Sequence, residues 1–414
     1  MTRKRVLLGI AALVLVCAAG AAAAWFWNER QTSDVRGSST KEFVTTEPTT
    51  TRAEEEVRTE PWPIYGLNAQ RTRNAVEFHH HPPFRRVWRA PGGSLVEFPP
   101  VIAYGRLYFA NLRGRFAAID AETGKVEWQK KLGYITAASP AVGGGIVYQP
   151  LMNRIGAQRG ASSGALVAMD ADTGRRLWIF KTGAVESSPL LEGGTIYFGT
   201  FDKKLYALDA KTGKVRWSYA TGDKVKGAPA YAGGAVYTGS YDGKVYAIGA
   251  RNGKLRWSSS GRSGLGGSGN FYAGPAVAYG RVFIGSTDGK EYAFGAGTGD
   301  LLWATSTGSY VYSSAAVGDK VVYVGSYDRK LYALDAATGE VKWSFDAGGS
   351  ISGSPTLMDG LVYFSTLKRK TFALDQKTGK VVWQLPDGQY TPLVADEKHA
   401  YIVGLGTIYA YVDR

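Results

Sequence analysis

Val321-Val322-Tyr323-Val324-Gly325-Ser326-Tyr327-Asp328-Arg329-Lys330-Leu331-Tyr332-Ala333-Leu334-Asp335-Ala336-Ala337-Thr338-Gly339-Glu340-Val341-Lys342-Trp343 decides the fold. Val321–Gly325 and Lys330–Leu334 are short β-branched and aromatic runs, which suit a pleated, half-buried surface. Tyr327-Asp328-Arg329 is a tight turn between them. Asp335 to Gly339 turns again, and Val341 with Trp343 marks another strand. Upstream, Ala315-Ala316-Val317 and the Gly318-Asp319 turn supply one more strand. Four short antiparallel strands in about forty residues is the unit of a propeller blade.

The phrase Asp-Ala-x-Thr-Gly-x-x-x-Trp recurs at Asp120–Trp128, Asp170–Trp178, Asp209–Trp217 and Asp335–Trp343. Asp375–Trp383 repeats it with Gln376 in second place, and weaker copies run from Gly249 to Trp257 and from Gly295 to Trp303. Trp88 precedes them all. Successive tryptophans from Trp88 to Trp383 lie 40, 50, 39, 40, 46, 40 and 40 residues apart. Asp and Thr side chains fix turns, and Gly admits positive φ. A tryptophan at this register can fill the wedge between neighbouring blades. Packing and turn geometry therefore account for the phrase, and no functional role is assigned to it.

Seven copies end in tryptophan. Beyond Trp383 come three more strands, around Thr391-Pro392-Leu393, His399–Val403 and Thr407–Val412. The missing fourth strand is available around Val87 and Trp88. The expected fold is all-β: an eight-bladed propeller of four-stranded antiparallel blades, with both termini closing the last. Ring closure removes exposed sheet edges.

Ahead of the ring, Arg3, Lys4 and Arg5 precede an uncharged stretch from Val6 to Trp27. As a helix it would span roughly 33 Å, enough for a bilayer core. Trp25 and Trp27 suit the interfacial aromatic belt, and the basic residues keep the N-terminus cytoplasmic. The expected organisation is a cytoplasmic tail (1–5), a transmembrane signal-anchor (6–27), a disordered stalk (28–60) and the propeller (61–414), extracytoplasmic on a single-pass anchor in the cell membrane. A peptidase site at Ala21–Ala24 and a lipoprotein signal ending at Cys17 are the alternatives. The stalk's Thr45-Thr46-Glu47-Pro48-Thr49-Thr50-Thr51 cannot bury enough apolar surface to offset ordering entropy.

The repeats, such as Val236-Tyr237-Thr238-Gly239-Ser240-Tyr241-Asp242-Gly243-Lys244-Val245-Tyr246-Ala247, resemble pyrroloquinoline-quinone-type (PQQ-like) propeller repeats over 61–414. That family contains quinoprotein alcohol dehydrogenases and non-enzymatic propellers such as BamB, a scaffold of outer-membrane β-barrel assembly. The resemblance to the dehydrogenases implies a quinone held under adjacent disulfide-bonded cysteines, and a calcium or lanthanide ion on Glu, Asn and Asp. Cys17 is the single cysteine of the chain, and it precedes the ring. No cofactor is therefore expected; PQQ with calcium, and a quinone-dependent oxidoreductase, belong to the alternative. The leading expectation is a non-catalytic, monomeric binding or assembly scaffold.

The chain carries a formal charge of +14. Residues 1–60 hold eight charges of each sign, so the excess lies entirely in the ring. Loops between a blade's second and third strands, and loops between blades, emerge on one face. The two long spacings come from insertions at Met152–Gly164 and Ser258–Asn270, both on that face, and such elaboration marks a binding face. Its candidate residues are Arg113, Arg154, Arg159, Lys203, Lys204, Lys244, Lys290, Arg329, Lys330, Lys368, Arg369 and Lys370, with Arg115 among them and Asp202, Asp242, Asp288 and Asp328 as partial offsets. Such a face attracts anions. For an exported domain this points to a protein partner, acidic headgroups or an anionic envelope polymer, and away from nucleic acid. Candidate channel-mouth residues are Glu97, Tyr134, Glu186, Lys226, Tyr272, Tyr310, Tyr312 and Tyr390. His79-His80-His81 with His399 is either a metal site or an exposed polar run before Pro82-Pro83.

Overall fold

A computed structural model describes residues 17–29, 33–40, 43–44, 60–156, 163–261, 269–390 and 393–414. The ring consists of eight four-stranded antiparallel sheets. Blade 1 opens with Val101–Ala103 at the channel and ends with Val126–Lys131 at the perimeter; blades 2 to 7 repeat this order. Blade 8 takes its three inner strands, Val394–Ala395, Ala400–Val403 and Thr407–Asp413, from the C-terminus. Its outer strand is Phe84–Pro91, paired with Thr407–Asp413. The expected blade count and closure are both present.

The repeated phrase is a blade-to-blade joint. In its regular copies the Asp carboxylate accepts from the Thr amide and hydroxyl three residues on, as Asp209 does from Thr212 at 2.9 and 2.8 Å. The indole N–H of Trp88, Trp128, Trp178, Trp217, Trp257, Trp303 and Trp343 donates to the next blade's turn. The acceptors are the carbonyls of Ala121, Ala171, Ala210, Ala250, Ala296, Ala336 and Gln376, at 2.7–3.1 Å. The turn glycine lies under the same ring: a Cβ on Gly213, where φ is +71°, would stand 2.7 Å from Trp178. Trp383 faces blade 8, which lacks the phrase, and meets Phe84 edge-on at 5.3 Å instead.

The channel is not open. Trp62 to Ala75 run around its inside and pair with the middle residue of the inner strand in six blades. Trp62 bonds Ile102 in both directions, and the carbonyls of Pro63, Ala69, Gln70, Thr72 and Arg73 accept from Val142, Tyr231, Val277, Val317 and Leu357 at 2.8–2.9 Å. Backbone groups that a ring's inner edge would leave to water are thus satisfied by the chain itself. The plug has no hydrophobic period, so nothing in the repeat pattern announced it.

Among the described residues, no helix is long and apolar enough to cross a membrane. Residues 17–29 are helical, and residues 1–16 of the expected tail and anchor lie outside the described residues. Within the segment expected as a stalk, Val35 forms a β-bridge with Ala304 of blade 5.

Candidate functional site

Each loop between blades crosses the ring face just before an inner strand. Most place one side chain three residues ahead of the proline that opens that strand: Glu97, Glu186, Lys226, Tyr272 and Ser352 hold this register. The plug forms a floor beneath them with Tyr65, Gly66 and Arg73. Together these residues, Tyr312 and Tyr390 enclose a cavity of about 80 Å³.

Six of the eight expected mouth residues meet here: Glu97, Glu186, Lys226, Tyr272, Tyr312 and Tyr390. Tyr134 lies elsewhere, under the Arg154 guanidinium at 6.0 Å. Tyr310 is half exposed and packs on Tyr312 and Tyr327 outside the cavity. The floor residues Trp62, Tyr65 and Arg73 were missed, as were Ser188, Ser314, Ser352 and Ser354. The inter-blade register was available for Ser352; the aperiodic plug offered no signal.

Glu186 is the hub. Its carboxylate accepts the Tyr272 hydroxyl at 2.6 Å and pairs with Lys226 Nζ at 3.1 Å. Lys226 Nζ also sits over Phe201, Tyr241 and Tyr272, 4.8–5.4 Å from the ring centres. Cation–π attraction of about 0.5–2 kcal/mol per contact adds to the ion pair. Burial, and then the charge of Glu186, push the Glu97 carboxyl above its ordinary value. Burial likewise carries the Tyr272 hydroxyl well above its own, with Glu186 adding to the shift. From Tyr241 the wall continues edge-on through Tyr272, Tyr312 and Tyr327, with ring centres 4.9–6.3 Å apart.

The floor is cationic. Arg71 and Arg73 lie 5.7 and 4.5 Å from the Tyr65 ring centre. Arg71 donates to the carbonyls of Pro229, Ser188 and Pro189. Burial, with repulsion from Arg73, lowers its pKa to about 9. Burial acts to raise the Tyr65 hydroxyl, but the Arg73 charge and bonds with Ser354, Arg73 and Ser314 lower it on balance. Serines tie the blades together around this floor: Ser314 accepts from the Gly274 amide and Ser354 from the Ser314 amide, both at 2.9 Å.

On the same face, Arg113, Arg154, Lys203, Lys244, Arg329, Lys368, Arg369 and Lys370 are exposed, while Lys204 and Lys330 are half-buried. Arg159 and the centres of both insertions lie outside the described residues. Lys290 differs: it is buried, and its Nζ donates to the Ser33 carbonyl at 3.2 Å. The aspartates that offset these charges have structural duties. Asp242 and Asp328 each accept an amide from the preceding inter-blade loop and a tyrosine hydroxyl of their own blade. Of the histidines, His81 binds Asp359 at 2.8 Å, while His80 and His399 flank Asp396. Among the described residues, no three His, Cys, Asp or Glu side chains converge as a metal site.

The family model for the outer membrane protein assembly factor BamB matches residues 84–226, 220–311 and 292–411. A curated relative of that name from Burkholderia pseudomallei is 28% identical over 138 residues, a match spanning 33% of each chain. This match therefore covers about a third of the relative's length. Of solved structures, a europium-containing methanol dehydrogenase aligns with a TM-score of 0.71 at 14% identity, over 87% of this chain and 99% of that one. BamB from Moraxella catarrhalis aligns with a TM-score of 0.62 at 19% identity, over 80% and 98%. At these identities the structural likeness concerns the fold.

Proposed function

Because the chain belongs to the family of the outer membrane protein assembly factor BamB, we propose that it is a membrane-anchored, extracytoplasmic propeller. In this reading it acts as a non-catalytic binding or assembly scaffold for a protein or an anionic cell-envelope partner. The observation that carries the proposal is the mouth: a small cavity, floored by the chain's own plug and walled by tyrosines and the Glu186–Lys226 pair. A cavity of about 80 Å³ is roughly half the size of an engineered site of about 150 Å³ that holds benzene. It suits one side chain or one sugar substituent of a larger partner that spreads over the surrounding basic loops. Aromatic and charged groups around a small anchor pocket are the usual makings of such contacts. The uncharged stretch from Val6 to Trp27 supports the anchor.

The dehydrogenase-like fold favours a second reading, a PQQ-dependent oxidoreductase. The residues present do not fit that cofactor. The plug floors the channel mouth, and the cavity of about 80 Å³ above it is smaller than a tricyclic tricarboxylate. Glu97 and Glu186 would face its carboxylates, and Lys226 is paired with Glu186, which leaves Arg73 in the floor as the lining cation to meet three negative charges.

Binding of the full chain to cell-envelope fractions tests the scaffold reading. Binding should weaken with salt, and weaken at least about tenfold when Lys368, Arg369 and Lys370 become Glu, since the attraction is electrostatic and screened. Tyr312→Ala should weaken it with no change in salt dependence. Envelope binding indifferent to all of these changes would refute the proposal.

A further inference from the structure

Blade 5 differs from its siblings at the perimeter. Outer strands of blades 3 and 6, Val215–Ala220 and Val341–Asp346, alternate between exposed and half-buried residues. That of blade 5, Leu301–Ser306, is buried through its middle, and Trp303 is wholly covered. The cover is the chain's own linker. Val35 and Ala304 exchange both backbone bonds at 2.9 Å, a single antiparallel bridge against the outer edge of Leu301–Ser306. Asp34 accepts from the Ser306 amide at 2.8 Å, and the Gly37 amide donates to Thr338 at 2.9 Å. Arg281, buried, donates to the Ser38 carbonyl at 2.7 Å and lies 5.0 Å from the Phe43 ring centre. A Cβ on Gly37 would stand 2.8 Å from Trp303, so the seat is tight.

The linker runs from one face of the ring to the other. Ser33 and Asp34 meet Lys290 and Ser306, which lie on the mouth face. Ser38 and Val44 meet Arg281 and Tyr279, at the opposite face. The linker therefore arrives at the mouth side and descends. Six residue steps separate Trp27 from Ser33, at most about 20 Å of extended chain. We infer that the docked linker holds the ring with its mouth and basic loops turned toward the anionic bilayer surface from which the tether emerges. This deepens the function proposed above and rests on its membrane anchor. The basic excess then faces acidic headgroups at short range, where screening leaves it effective.

The full chain, with Cys17→Ser, is reconstituted in phosphatidylcholine vesicles containing phosphatidylglycerol and an acceptor dye on the lipid. A donor is attached through Asp346→Cys on the mouth face or Lys377→Cys on the opposite face. A six-residue strand separates the two faces by about 20 Å. Energy transfer is expected to be clearly greater from Asp346→Cys, and to fall when phosphatidylglycerol is left out. Val35→Pro, which removes the N–H donated to Ala304, is expected to level the two positions while the chain still floats with the vesicles. Equal or reversed transfer in a chain that floats overturns the orientation, and transfer indifferent to phosphatidylglycerol overturns the role of the basic loops. A chain that fails to float with vesicles overturns the anchor itself, and the orientation with it.

Discussion

Glu291 occupies a position where sibling blades carry Leu205, Val245 and Leu331. Each sits in the third strand of its blade, opposite a glycine of the second. Glu291 is wholly buried, and among the described residues neither carboxyl oxygen has a hydrogen-bond partner. Burial alone raises its pKa well above the ordinary 4.5. A carboxyl whose folded value is raised binds its proton more tightly in the folded state. The folded ring is then most stable below about pH 4.5 and loses stability as pH rises from there toward the folded value. Each unit by which burial raises that pKa corresponds to about 1.4 kcal/mol. Leaving a buried polar group unpaired adds about 1–3 kcal/mol. Glu291→Leu is expected to stabilise the ring by at least about 1 kcal/mol at pH 7 and by clearly less near pH 4.5. Glu291→Gln cannot ionise and should remove the pH-dependent part alone. Urea unfolding of the three proteins across pH 4.5–7.5 measures both. A Glu291→Leu chain no more stable at pH 7, or a gap that does not change with pH, would refute this reasoning.

Gly213 and Gly105 both hold positive φ, at +71° and +70°, but only Gly213 has a tryptophan ring where Cβ would go. Alanine should cost about 1 kcal/mol at Gly105 and about 2 kcal/mol more at Gly213, where overpacking is added; thermal unfolding measures the difference. Lys226→Met strands the Glu186 carboxylate beside Glu97 and should cost about 3 kcal/mol at neutral pH. That loss should shrink in a Glu97→Gln background, which removes the neighbouring carboxyl; a double-mutant cycle by urea unfolding reads the coupling.

Most of the ring was legible because its joints are local and periodic. The tryptophan ladder gave the blade count, and Trp88 gave the closing strand, since each indole must reach the next blade's turn. The mouth was legible where the inter-blade register carried a large side chain, as at Tyr272 and Lys226. Tyr310 and Tyr134 misled because tyrosine alone does not report whether a loop residue points inward. The plug was hidden for a physical reason: Trp62–Ala75 act mainly through backbone carbonyls, which any residue supplies. Lys290 read as a surface charge because its cover, Ser33, lies 257 residues away in sequence.

On the function proposed above, the mouth binds a group offered by a partner and holds no redox cofactor. Titration of the purified full chain with pyrroloquinoline quinone and calcium, followed by absorbance and by alcohol-dependent dye reduction, tests it most directly. The expected result is no stoichiometric uptake and no dye reduction. Tight one-to-one binding accompanied by dye reduction would contradict it.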